Sequence, residues 1–259
     1  MREEDHWIDL PAGRVFARCW RPAATQAAPI ILFHDSLGCV ELWRDFPAAL
    51  AQATGRTVIA YDRPGFGRSA ARADRLGNDF IAAEAEAVLP ELRARLGLER
   101  FAALGHSVGG GMAAHAAAAY PTDCSALVTI AAQAFVEDRT LQGIRAAQAQ
   151  FADAAQRTRL AKYHGDKARW VLEAWIQTWL DPSFAVWTLD AVLPQIRCPV
   201  LAIHGADDEY GSPRHAQRIG ALAGGPARVI VLPDTRHLPH RERPAQVLER
   251  IAEFLAPLA

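Results

Sequence analysis

The chain has 259 residues, 51% of them hydrophobic, and 28 Lys and Arg stand against 29 Asp and Glu for a formal charge of -1. That is enough apolar material for one large core, and the even charge balance leaves no field to gather a phosphate backbone or an anionic lipid surface. Nucleic acid and membrane are therefore not expected as partners.

Residues 1–7 carry charge where a secretory leader needs an apolar run, and no stretch reaches the roughly 18 apolar residues of a membrane span, so a cytoplasmic protein is expected. Residues 15–20 read as a strand, followed by a connection over 22–28. Ile30-Ile31-Leu32-Phe33 is an unbroken apolar run of the kind found in a strand covered on both faces. A helix over 41–53 and a strand over 57–61 follow, then a helix over 79–95, a strand over 101–104, a helix over 108–120 and a strand over 126–131. After Pro199 the alternation resumes with strands over 200–203 and 228–232 and helices over 213–222 and 244–255. Such alternation predicts an α/β fold, a mainly parallel sheet with helices on both faces.

Between 134 and 195 the alternation stops and helical patterns take over, at 145–163 and 169–180. Four of the seven tryptophans, Trp170, Trp175, Trp179 and Trp187, fall in this stretch. It is expected to be a helical cap, giving a core in two parts, 1–134 and 196–259, with the cap at 135–195. Trp170, Trp175 and Trp179 are candidate substrate-binding residues, because dense aromatics suit an apolar roof better than a solvated linker. The four cysteines, Cys19, Cys39, Cys124 and Cys198, form no metal-ligand spacing and read as small buried residues.

The sharpest local signal is Gly105-His106-Ser107-Val108-Gly109, set between a strand and a helix. A serine in a tight strand-to-helix turn is held with its hydroxyl projecting, and flanking glycines leave room for neighbouring elements. Ser107 is the candidate nucleophile. The Val108 amide, in the first helical turn, is the candidate oxyanion donor.

With this motif, the turn His34-Asp35-Ser36-Leu37-Gly38, the segment Asp62-Arg63-Pro64-Gly65-Phe66-Gly67-Arg68-Ser69, Gly205-Ala206-Asp207-Asp208, and His237-Leu238-Pro239 running into Glu242-Arg243-Pro244, the chain resembles the α/β-hydrolase superfamily, in its branch with a helical cap. The resemblance covers nearly the whole chain. It implies that the Ser36 backbone N–H completes the oxyanion hole, that His237 is the base and His240 a bystander, and that the acid three positions after Gly205, Asp208, backs the histidine, with Asp207 the alternative. It also implies a structural role for residues 62–69, with Phe66 as a pocket wall. Two departures stand out: Asp35 replaces the family's glycine, and Arg236 precedes the base. Asp35 is expected to bond within its own turn.

A serine activated by a neutral imidazole needs no metal and no organic cofactor. In this superfamily, halide displacement and epoxide opening use an aspartate nucleophile, so Ser107 points away from both. The expectation is a carboxylesterase-like serine hydrolase acting on a small, largely apolar ester. The alternatives on the same scaffold are a carbon–carbon bond hydrolase of a ring-cleavage product, a cofactor-free perhydrolase and a slow-turnover ligand-binding module. Nothing in the sequence sets the oligomeric state.

Overall fold

The structure, a computed structural model, describes residues 1–11, 13–23 and 27–258. Strands β1 (Arg2–Leu10), β2 (Gly13–Arg21), β3 (Ile30–Phe33), β4 (Val58–Tyr61), β5 (Phe101–His106), β6 (Cys124–Ile130), β7 (Val200–Gly205) and β8 (Ala227–Leu232) make one sheet, ordered β1-β2-β4-β3-β5-β6-β7-β8. From β4 to β8 every pairing is parallel, and β1 and β2 run antiparallel at one edge.

The apolar runs read from the sequence are the central strands, and the two-residue period of a strand divides them between two cores. Ile31, Phe33, Leu127, Val200 and Ala202 face one side, and Ile30, Leu32, Val128, Leu201 and Ile203 face the other. On the first side lie α2 (Phe80–Ala83), α3 (Leu89–Leu96), α4 (Val108–Ala119) and part of the stretch between β6 and β7. That stretch carries α5 (Asp138–Gln150), α6 (Ala154–His164) and α7 (Ala168–Trp179), and after it α8 (Arg214–Leu222) covers the same side. The second side is covered by α1 (Phe46–Thr54) and by α10 (Pro244–Leu255), which follows the short α9 (Pro239–Glu242). Each fully buried aliphatic side chain in these layers contributes about 1.5–3 kcal/mol.

The structure differs from the sequence reading in four places. Residues 2–10, read only as charged, form β1: its Glu4 and Asp5 pair with Arg21 and Arg18 of β2 at 2.9 and 2.5 Å, so charge marks an edge strand here. The helix expected at 41–53 is a 3₁₀ turn, Val40–Trp43, and then α1, separated at Arg44, whose φ is 56°. The helix at 79–95 passes through a π-helical turn, Glu84–Val88, just before Pro90, which has no N–H to donate. The helix at 145–163 is divided into α5 and α6, with Asp153 capping α6 through the Ala155 amide.

The 22–28 connection lies partly outside the described residues. Among the described residues no helix is long and apolar enough to cross a membrane. Cys124 and Cys198, far apart in sequence, bring their free sulfurs to 4.0 Å.

Candidate active site

The site is built on the carboxyl ends of β3, β5, β7 and β8. β5 ends at His106 and α4 begins at Val108, so the whole reversal falls on Ser107, at φ 55° and ψ -128°. A non-glycine residue in this conformation costs on the order of 1–3 kcal/mol and has to be held by its surroundings. Here the Ser107 amide donates to Ile130 O at 3.0 Å, and the Gly110 amide donates to Ser107 O at 2.9 Å. Two glycines make the turn possible: a Cβ on Gly105 would stand 2.0 Å from Gly109 O, and one on Gly109 would stand 2.1 Å from Phe33 O.

Ser107 Oγ lies 3.0 Å from His237 Nε2, and His237 Nδ1 lies 2.9 and 2.8 Å from the two oxygens of Asp208. A carboxylate only accepts, so Nδ1 carries the proton, leaving Nε2 free to accept from the hydroxyl. The loop bearing His237 is clamped by Glu242, whose carboxylate accepts from the Arg236 and Leu238 amides at 2.9 and 3.0 Å. On the other flank His106 Nε2 lies 2.8 Å from His237 O.

Asp208 is fully buried, and its Oδ1 also accepts from the Tyr210 amide at 2.8 Å. His204, fully buried in β7, puts Nε2 3.0 Å from Gly211 O and 3.3 Å from Asp208 Oδ2. Burial works to raise the Asp208 pKa, but the hydrogen bond and charge of His237, with His204 and the Tyr210 amide, leave it lowered. For His237 burial works downward, and the Asp208 bond and charge, with Asp35 and Glu209, leave it raised. Asp207 is exposed and meets the loop through its amide, which donates to Thr235 O at 2.9 Å. His240 packs behind the site against Trp43, Phe46 and His106, away from the Ser107 line.

Ser36 follows β3 and lines the cavity in front of Ser107. Val108 is buried, and its amide opens α4, where no intrahelical acceptor is available. Asp35, in the family's glycine position, accepts from the Leu37 amide at 2.9 Å through Oδ1 and meets His106 Nδ1 at 3.2 Å through Oδ2. Burial raises its pKa, and the His106 contact outweighs it, holding the carboxyl well below the usual range. Its charge is thus spent within the turn and on His106.

A cavity of about 330 Å³ opens over Ser107, walled by Leu37, Leu42, Ile144, Trp175, Trp179 and Leu238, with Gln133, Thr140 and Tyr210 as polar points and Glu209 and Arg241 at its margin. Trp175 and Trp179 are where the sequence reading expects them, but Trp170 and Phe66 stand off this cavity. Trp170 lies edge-on to Phe66 with centroids 5.5 Å apart, its Nε1 donates to Asp74 O at 3.0 Å, and it covers Gly65, so it fastens α7 to the 62–69 loop. Phe66 instead lines a small chamber behind Trp175 and Trp179. Trp187 stacks on Phe184. Arg236 is directed to Glu209 at 3.3 Å.

The sequence reading missed Gln133, whose carboxamide lies 3.3 Å from Ser107 Oγ. The signal was its position just past the carboxyl end of β6, the same sheet edge that carries the other site residues. Among the described residues no group of three or more His, Cys, Asp or Glu could hold a metal ion.

The family model described as alpha/beta hydrolase fold matches residues 28–244. The human 1-acylglycerol-3-phosphate O-acyltransferase ABHD5 is 32% identical over 118 residues, 44% of this chain and 32% of that protein. For the Caenorhabditis elegans abhydrolase domain-containing protein abhd-5.2, the matched part is 22% of the relative's length, so the chain matches about a third or less of these relatives. The human serine hydrolase BPHL is 28% identical over 233 residues, 86% of this chain and 77% of that protein. Among solved structures, a bacterial membrane phospholipase A superposes with a TM-score of 0.78 at 18% identity, over 98% of this chain and 86% of that one, a likeness of fold. With the match running from before β3 to the start of α10, the chain belongs to the alpha/beta hydrolase fold family.

Proposed function

We propose that the protein is a serine hydrolase that cleaves a small, largely apolar carboxylic ester through an acyl-enzyme. Ser107 Oγ attacks the acyl carbon while His237 Nε2 takes its proton, and the Ser36 and Val108 amides receive the negative charge that develops on the carbonyl oxygen. His237 then protonates the leaving alcohol, activates a water against the acyl-enzyme and returns a proton to Ser107 Oγ. Asp208 keeps the imidazole in the required tautomer and favours the imidazolium of each transition state.

The observation that carries this reading is the continuous line from Asp208 through His237 to Ser107, each contact 3.0 Å or shorter, opening into the cavity. The volume, about 330 Å³, is at the small end for ligand pockets, and its walls are mostly apolar, which supports a compact acyl or aryl group.

The test is a series of p-nitrophenyl esters of increasing acyl length. Wild type is expected to turn over short esters, and Ser107→Ala and His237→Ala to lose at least about 10³-fold in kcat. Equal rates in wild type and Ser107→Ala on every ester, with a small molecule retained on purification, would replace hydrolysis by ligand binding.

A second reading, a carbon–carbon bond hydrolase of a ring-cleavage product, is favoured by Arg241, the cation at the cavity margin, which could meet a substrate carboxylate. Its Nη2 donates to Leu42 O, which ties it to that margin. Selectivity for carboxylate-bearing substrates that disappears in Arg241→Ala would support it.

A further inference from the structure

Ser107 Oγ has two polar neighbours, and its one proton can serve only one of them. With Nδ1 of His237 protonated toward Asp208, the hydroxyl proton belongs to His237 Nε2 at 3.0 Å. What remains on Oγ is lone pairs, which can accept from a donor. Gln133, 3% exposed, faces them at 3.3 Å with the end of its carboxamide occupied by the oxygen. The two ends of an amide exchange by a half-turn of the last torsion, and with the NH₂ end toward Oγ the carboxamide gives those lone pairs a donor while the hydroxyl proton serves His237. The backbone that brings it there is unusual: β6 ends at Ile130, Ala131 takes φ 50°, and the chain crosses the sheet edge so that Gln133 turns back into the cavity.

We propose that Gln133 is a catalytic residue, donating an N–H to Ser107 Oγ and assisting the departure of that oxygen when the acyl-enzyme is hydrolysed. The inference rests on the reading of Ser107 as nucleophile. In the acyl-enzyme, Oγ is an ester oxygen and a weak acceptor. A water oxygen bonds to the acyl carbon as its proton passes to His237 Nε2. The tetrahedral intermediate then collapses: the carbon–Oγ bond breaks, its electron pair goes to Oγ, and Oγ takes the proton from His237. Gln133 keeps its own protons throughout and stabilises the charge on Oγ in between. In acylation the same donor already bonds the resting hydroxyl, a better acceptor than an ester oxygen. Its differential effect is therefore larger in deacylation.

The test is stopped-flow release of p-nitrophenol from p-nitrophenyl acetate by wild type, Gln133→Met and Gln133→Glu, with intact-protein mass spectrometry on quenched samples. Met has similar reach without a donor, and Glu has the same shape with acceptors only. Both are expected to give a rapid burst close to one p-nitrophenol per enzyme, a steady rate about ten-fold or more below wild type, and an acetyl group accumulated on Ser107. Glu guards against a packing defect in Met. An unchanged ratio of burst to steady rate in both variants, or acylation slowed as much as deacylation, overturns the role of Gln133. Failure of Ser107 itself reads differently: wild type then shows neither burst nor turnover dependent on that serine.

Discussion

Asp208 is a side chain with no freedom left. It is fully buried, and its oxygens meet His237 Nδ1, the Tyr210 amide and His204 Nε2, while its neighbour Asp207 lies exposed. Asp208→Asn removes the charge and invites the wrong imidazole tautomer, so kcat for the ester is expected to fall by about 10³–10⁴. Asp207→Asn is expected to stay within about two-fold, and steady-state kinetics on the two variants checks both. Ser107 and Asp208 were legible because each follows a buried strand and sits in a recognisable local pattern, whereas His237 follows the largely exposed edge strand β8 and was legible from its local pattern alone. Gln133 has no such pattern. Its approach to Ser107 depends on a positive φ at Ala131, a residue type that rarely adopts one.

At the scale of elements, α7 separates what a count of tryptophans could not. Trp175 and Trp179 are four residues apart and share a helix face, which lines the cavity, whereas Trp170 projects from another face onto Gly65 and Phe66. Helical phase was the available signal, and composition hid it. Trp175→Ala should open the cavity and move the ester preference toward longer acyl chains, by about ten-fold in the ratio of kcat/KM values. Trp170→Ala should leave that profile in place and cost about 1–3 kcal/mol of stability, less than a fully buried indole, as read by urea unfolding. If Trp170→Ala changes acyl preference as much as Trp175→Ala, the separation of the two faces is wrong. The central strands were legible because both their faces are apolar. β1 was not, because an edge strand alternates charge with partial burial and so resembles a polar terminus.

Across the whole molecule, burial governs how stability responds to acid. Burial is the leading cause of lowered pKa values for His34, His115, His164, His204, His215 and His240, with His215 brought to about 4. The unfolded chain takes up these protons near pH 6.5 while the folded chain refuses them, so this part of the stability is complete above 6.5 and declines as the pH falls. His237, raised, works in the opposite sense, as does Asp62, which burial pushes up to about 6. Glu84, which burial also raises, works with them, so six groups oppose three across the window from pH 7 to pH 5. The urea midpoint is expected to be lower at pH 5 than at pH 7, and a midpoint that holds or rises would show that the histidines do not dominate.

The contact of Gly109 with Phe33 O is main chain against main chain. The two segments that carry Ser36 and Val108 are therefore spaced by backbone packed on backbone, which does not run through the side chains of the surrounding wall. Walls can be rebuilt for a different molecule while the anvil beneath them keeps its dimensions.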